Sequence, residues 1–195
     1  RQRQMCIRDS AWPSETLLAQ SFDIDLLEEV GQAIGREMKE IGISIWLAPG
    51  LNIHRNPLCG RNFEYYSEDP LVSGKMAAAV TRGVQSVGGV GVSVKHFCCN
   101  NQEDNRMEMS SNVTQRALRE IYLRAFRIAI EEGDPWTIMS SYNRVNGLHV
   151  CNNKELLTDV LRGEWGYQGL VMSDWTATNQ CSHAKAINAG NDLIM

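Results

Sequence analysis

The sequence has no long apolar run. No stretch of it reaches the length needed to cross a bilayer, so a membrane association through a spanning helix is not expected. It has no excess of positive charge either. Nineteen Lys+Arg against 23 Asp+Glu leave a net charge of −4, which supplies no basic face for nucleic acid. The six cysteines, Cys6, Cys59, Cys98, Cys99, Cys151 and Cys181, include no Cys-x-x-Cys pair. A metal knuckle is therefore not expected, and the thiols favour a reducing, cytoplasmic setting. No secretory leader pattern opens the chain. A nucleophile elbow, a His-Glu-x-x-His helix and a phosphate loop are all missing. Gly89-Val90-Gly91 lacks a third glycine and precedes a strand instead of following one, which excludes the dinucleotide fingerprint. No cofactor and no metal are expected.

What is present is an ordinary globular composition, 43% hydrophobic and 22% charged, over 195 residues, enough for one domain with a core. Residues 1–10 have neither a helical nor a strand period and differ in composition from the rest. They read as a non-native N-terminal scar, with native sequence resuming near Ala11. Asp23 to Ile41 carries apolar residues at Leu26, Leu27, Val30, Ala33, Ile34, Met38 and Ile41, which is helical spacing, with Asp23 as cap and Gly42 as stop. Ile43 to Leu47 reads as a strand, followed by a long polar loop from Asn52 to Ser67. Ser67 is expected to cap the next helix, with Pro70 in its first turn and Gly88-Gly89 at its end. Val90 to Phe97 is the next strand, and Thr114 to Glu132 a helix stopped by Gly133. Trp136 to Tyr142 is a strand, and Asn153 to Trp165 a helix. Gly169 to Ser173 is again a strand, Ala184 to Ala189 a short helix, and Asn191 to Met195 the start of another strand. Adjacent Cys98-Cys99 reads as two small half-buried residues, and Asn112-Val113-Thr114 is a formal glycosylation sequon.

Alternating helices and strands predict an α/β fold with a parallel sheet and right-handed crossovers. A complete eight-stranded barrel needs roughly 250 residues. The expected fold is thus a partial TIM-type (β/α)8 barrel over residues 11–195, lacking the first strand and truncated in the last. An open doubly wound sheet is the alternative. In the barrel reading, polar residues gather where strands end: Arg61 in the first long loop, Lys95-His96, Ser141-Tyr142 and Asp174-Trp175. Each has a bland reading. Arg61 could pair with Glu64, His96 could be a core histidine, Tyr142 could be core, and Asp174 could cap the segment after it. Four such residues at equivalent rim positions favour one shared site. Cations near Asp174 are expected to lower its pKa and keep it ionised as a nucleophile. Trp175 would offer a flat apolar face to a sugar ring.

Asn52 to Pro70, with Arg61-Asn62-Phe63-Glu64-Tyr65-Tyr66-Ser67-Glu68-Asp69-Pro70 at its end, Lys95-His96-Phe97, Asn100-Asn101-Gln102-Glu103, Ser141-Tyr142-Asn143 and Ser173-Asp174-Trp175 resemble family 3 glycoside hydrolases of the β-glucosidase type. The resemblance covers the chain from about Ala11 onward. It implies a retaining hydrolase in which Asp174 forms a covalent glycosyl ester. Arg61, Lys95, His96, Met139, Tyr142 and Trp175 match residues that bind the sugar. The Asn-Asn-Gln-Glu stretch departs from the Pro-Gly-His loop of the family's N-acetylglucosaminidases. The resemblance also implies an acid/base Glu in a later C-terminal domain of the same polypeptide, and a β-linked oligosaccharide or glucoside as substrate. This chain by itself is expected to be inactive. Two other readings stand beside it, a Schiff-base aldolase using Lys95 and a catalytically silent sugar-binding barrel.

Overall fold

A computed structural model describes residues 11–195; the stretch 1–10 lies outside the described residues. Helix Glu15–Ala19 comes first and is capped by Ser14. Helix Ile24–Glu40 begins, as expected, at Asp23, whose Oδ1 accepts the Leu26 N–H at 3.0 Å. Its buried face is Leu27, Val30, Ile34 and Met38. Leu26 and Ile41, expected in the apolar stripe, are exposed. Next in order are β1 Ile45–Trp46, helix Pro70–Ser86 and β2 Gly91–Phe97. Then follow β3 Ser110–Ser111, a helical segment Gln115–Gly133 and β4 Thr137–Ser140. The chain continues through β5 Arg144–Val145, β6 Leu148–His149, helical turns Glu155–Glu164, β7 Leu170–Ser173 and helix His183–Ala189.

β1, β2, β4 and β7 form one sheet in that order, and every pairing is parallel. This is an arc of a TIM-type barrel, open among the described residues. A further ladder begins where Met172 pairs with Leu193 and Ser173 N–H donates to the Leu193 carbonyl at 2.9 Å. Val92, Val94, Ile138 and Val171 point from the sheet into the main apolar core with the helices. Alternation turns Ser93, Met139 and Met172 to the other face, the barrel interior.

Small residues let the outer helices touch. A Cβ on Gly83 would sit 2.1 Å from the Glu28 carbonyl oxygen, and one on Gly31 would sit 2.4 Å from that of Val80. Helices Ile24–Glu40 and Pro70–Ser86 therefore cross backbone to backbone.

Several local expectations are corrected. The cap of helix Pro70–Ser86 is Asp69, whose Oδ1 accepts the N–H groups of Leu71 and Val72. The Ser67 hydroxyl accepts the Asp69 N–H instead. Pro70 at the first helical position makes its predecessor the cap. Gly133 lies inside its helix because the Ala78 backbone packs against it, and Asp134 takes the left-handed conformation at φ 47°. Two helices expected as regular contain π-helical turns, Leu118–Tyr122 and Glu155–Glu164. The Leu123 N–H donates to the Leu118 carbonyl, and both side chains are buried while Ile121 is exposed. Core residues at that spacing lie on one face only if a turn is widened. Cys98 and Cys99 are fully buried, not half-buried. β5 and β6 form an unpredicted hairpin with positive φ at Asn146 and Gly147. Asn-Gly is the favoured dipeptide for such a turn.

Candidate active site

The rim at the C-terminal ends of the strands is built by hydrogen bonds that run past the strands themselves. After β1, the Leu51 N–H donates to the Lys95 carbonyl at 2.7 Å, and the Lys95 N–H donates to the Pro49 carbonyl at 3.0 Å. The buried Asn52 side chain then clamps the His96 backbone. It donates to the His96 carbonyl and accepts the His96 N–H, each at 3.0 Å. The β2–β4 register shifts between Val94 and Phe97. Regular alternation would send Lys95 and His96 to opposite faces. The shift at this point brings both to the rim.

The His96 ring is buried and surrounded by assigned partners. Arg61 Nη2 donates to Nε2 at 2.7 Å. Nδ1 lies 3.2 Å from Asn52 Oδ1 and 3.3 Å from the Tyr65 hydroxyl. A guanidinium has no lone pair to offer, so Nε2 is the acceptor and the ring proton sits on Nδ1, facing Asn52. Burial, then the cations Arg61, Lys95 and Arg106, push the imidazole pKa well below its ordinary value. His96 is neutral, and its approach to Asp174 Oδ2 at 3.6 Å is not an ion pair.

Glu64 collects the cations. Arg61 Nε bonds its Oε1, and Lys95 Nζ lies 2.9 Å from its Oε2. Burial pushes the Glu64 carboxyl up, but Lys95 and the Arg61 hydrogen bond outweigh it and hold it below its usual range. Glu15, near Lys95, accepts the Gly50 N–H at 3.0 Å. Burial pushes its carboxyl well above the usual range.

Asp174 ends the apolar strand β7. Its backbone N–H donates to the Ser140 carbonyl at 3.0 Å. Its Oδ1 accepts the Trp175 N–H at 2.8 Å, whereas Oδ2 is buried and meets no hydrogen-bond donor among the described residues. The side chain does not cap the turn Ala177–Gln180, whose cap is Thr176. The pKa of Asp174 is raised, against expectation. Burial is the largest cause, and the Trp175 N–H, Arg61, Tyr142 and Lys95 offset only part of it. Arg61 and Lys95 make their ion pairs with Glu64 and not with Asp174.

Tyr142 stands beside the Asp174 carboxyl, and burial followed by the Asp174 charge pushes its phenol up to about 12. Arg106 lies over its ring, 4.3 Å from the centroid. Met139 is buried in β4, and Trp175 is 63% exposed at the mouth. Ser141 is a buried brace whose hydroxyl donates to the Cys98 carbonyl. Arg61, His96, Tyr142 and Asp174 thus meet at one rim, with Lys95 joined to them through Glu64. The residues expected at the site from the sequence did not include Asn52, Glu64, Tyr65, Glu103 or Arg106. The polar loop with Asn52, Glu64 and Tyr65 was visible in the sequence, and so was the Arg61–Glu64 pair, but the Lys95–Glu64 and Glu103–Arg106 pairs were not. No cluster of three metal-ligating side chains occurs among the described residues.

Residues 2–195 match the model of the Glycosyl hydrolase family 3 N terminal domain. Beta-glucosidase B of Emericella nidulans is 50% identical over 186 residues, covering 95% of this chain and 22% of that protein. An exo-alpha-(1->6)-L-arabinopyranosidase of Bifidobacterium breve is 47% identical over 186 residues, covering 95% of this chain and 24% of that protein. The structure of beta-glucosidase 3B from Thermotoga neapolitana in complex with glucose superposes with a TM-score of 0.93 at 55% identity, over 95% of this chain and 26% of that one. The chain spans about a quarter of the length of the proteins it matches. A match along nearly the whole chain, on the same barrel arc, means that it belongs to the family of the glycosyl hydrolase family 3 N-terminal domain.

Proposed function

We propose that this chain supplies the nucleophile and the sugar-binding half of a retaining β-glycosidase that acts on β-glucosides or β-linked oligosaccharides. One observation carries the reading: Asp174 is fixed by its neighbour's N–H through Oδ1 and presents an unbonded Oδ2 at a rim furnished with Arg61, Lys95, His96 and Tyr142. Oδ2 attacks the anomeric carbon, the leaving oxygen departs, and a glycosyl ester forms on Asp174. Water then attacks the anomeric carbon of that ester, loses its proton to a second carboxyl, and releases the Asp174 carboxylate. The leaving oxygen needs its proton from that same second carboxyl, roughly 5–5.5 Å from the first. That group is proposed to be a Glu in a later domain of the same polypeptide. Glu64 is unsuited to the role because both its oxygens are ion-paired. Arg61 and Lys95 are oriented by Glu64 to meet sugar hydroxyls, while the exposed indole of Trp175 offers a stacking face and Met139 lines the interior wall.

The aldolase reading is disfavoured. A Schiff base requires a neutral amine, and Lys95 Nζ forms an ion pair at 2.9 Å with a carboxylate held below its usual pKa. The experiment is covalent trapping in the full-length polypeptide. A deoxyfluoro glucoside with a good leaving group should label Asp174, as read by peptide mass mapping. Label on another carboxyl, or borohydride capture of a carbonyl substrate on Lys95, would overturn the reading. A matched α-L-arabinopyranoside probes the sugar preference.

A further inference from the structure

The Asn100–Arg106 loop after β2 contains a chain of contacts that ends at the Tyr142 ring on the rim. Asn100 is fully buried. Its Nδ2 donates to Glu103 Oε1 at 3.1 Å, and Arg106 Nη1 donates to Glu103 Oε2 at 2.6 Å. Both Glu103 oxygens are therefore occupied, one of them by a guanidinium. This carboxylate is unfit for proton transfer and well fitted for holding something still. What it holds is Arg106, whose guanidinium carbon lies 4.3 Å from the centre of the Tyr142 ring. A planar cation over an aromatic face is attracted by the ring's quadrupole, and a guanidinium stacks where an ammonium cannot. Tyr142, in turn, stands beside Asp174. The charges of this pair also reach the rest of the site: Arg106 acts on His96, and Glu103 acts on Arg61.

We infer that Glu103 is a positioning residue: it aims the Arg106 guanidinium at the Tyr142 ring and thereby holds that ring in place at the rim on which Asp174 stands. The inference rests on the reading of Asp174 as nucleophile. Glu103 and Arg106 have side chains 21% and 32% exposed. Replacing either opens no buried cavity, so the effect falls on the site and not on the core. The pair matters in the chemical step, when the charge on Asp174 is consumed and then regenerated beside Tyr142. Binding of the sugar's remote hydroxyls, which falls to Arg61 and Lys95, does not depend on it.

The test uses the full-length polypeptide carrying Glu103→Gln, Arg106→Met or both, assayed with a nitrophenyl β-glucoside. Each single change should lower kcat roughly tenfold while KM moves less than about threefold. The double variant should be no slower than the worse single, because both act through one contact. Glu103→Asp, which keeps the charge, should recover part of the loss. Losses that multiply in the double variant, a loss confined to KM, or parent-like rates in Glu103→Gln would each overturn the inference. Should Glu103→Gln fail to melt cooperatively, Arg106→Lys decides. It keeps the ion pair but cannot stack as a plane, so a similar loss supports the inference and a parent-like rate overturns it. Deoxyfluoro-glucoside labelling separates the two levels. Label away from Asp174 in the parent protein sinks the nucleophile reading. Label on Asp174 at the parent rate in Glu103→Gln sinks the role of Glu103 alone.

Discussion

Two carboxylates on one rim have opposite fates. Glu64, on the loop after β1, is gripped by Arg61 and Lys95 and is held below its usual pKa. Asp174, at the end of β7, is more deeply withdrawn from water and has, among the described residues, one N–H and one free oxygen, and its pKa is raised. The difference teaches that cations near a site do not act equally on every anion in it. They act first on the one they touch. Pairing keeps Glu64 ionised and inert, and the lack of pairing leaves Asp174 reactive.

The most severe way to break the comparison is Asp174→Asn in the full-length polypeptide. Steady-state kinetics should show kcat/KM reduced at least about a thousandfold, since no covalent ester can form. Thermal unfolding at neutral pH should show equal or greater stability. A carboxylate whose pKa is raised on folding contributes stability below its unfolded pKa and loses it as pH rises through the folded one. The amide removes that cost.

Glu64→Gln should sharpen the comparison. It frees Arg61 and Lys95 to act on Asp174, so the acidic limb of the pH–rate profile should move to lower pH. Loss of their orientation should still reduce kcat/KM roughly ten- to hundredfold. In the parent protein that limb should lie above the ordinary carboxylate range, because activity falls as pH drops through the raised pKa of Asp174. A parent limb at an ordinary carboxylate pKa, or one unmoved by Glu64→Gln, would contradict the contrast. Gly83→Ala probes a region outside it. The new methyl would meet the Glu28 carbonyl at 2.1 Å, and separating the two helices should cost about 1–3 kcal/mol in denaturant unfolding. Any active fraction should keep the parent pH profile.

Much of this was legible in the sequence, for reasons that are themselves physical. β2, β4 and β7 are short apolar runs between glycine-marked turns, and Asp174-Trp175 stands out because burial has no structural use for a carboxylate at a strand exit. The sign of the Asp174 shift was not legible. It depends on how deeply the fold buries Asp174, which no local pattern encodes, just as none encodes Lys95 meeting Glu64 across 31 positions of chain. The π turn at Leu118–Tyr122 was hidden because Leu118, Ile121, Tyr122 and Ala125 also fit the spacing of a regular helix. The β5–β6 hairpin had its signal in Asn146-Gly147, in the middle of what looked like an ordinary loop.

The proton on His96 has a further consequence. Its ring nitrogen nearest Asp174 already receives a bond from Arg61, and its hydrogen points away toward Asn52. The ring therefore presents the nucleophile with neither a charge to lend nor a hydrogen to give. An ester built on Asp174 would rest against a chemically silent wall, shielded on that side from water and from any stray acid, until the opposite face delivered the molecule meant to open it.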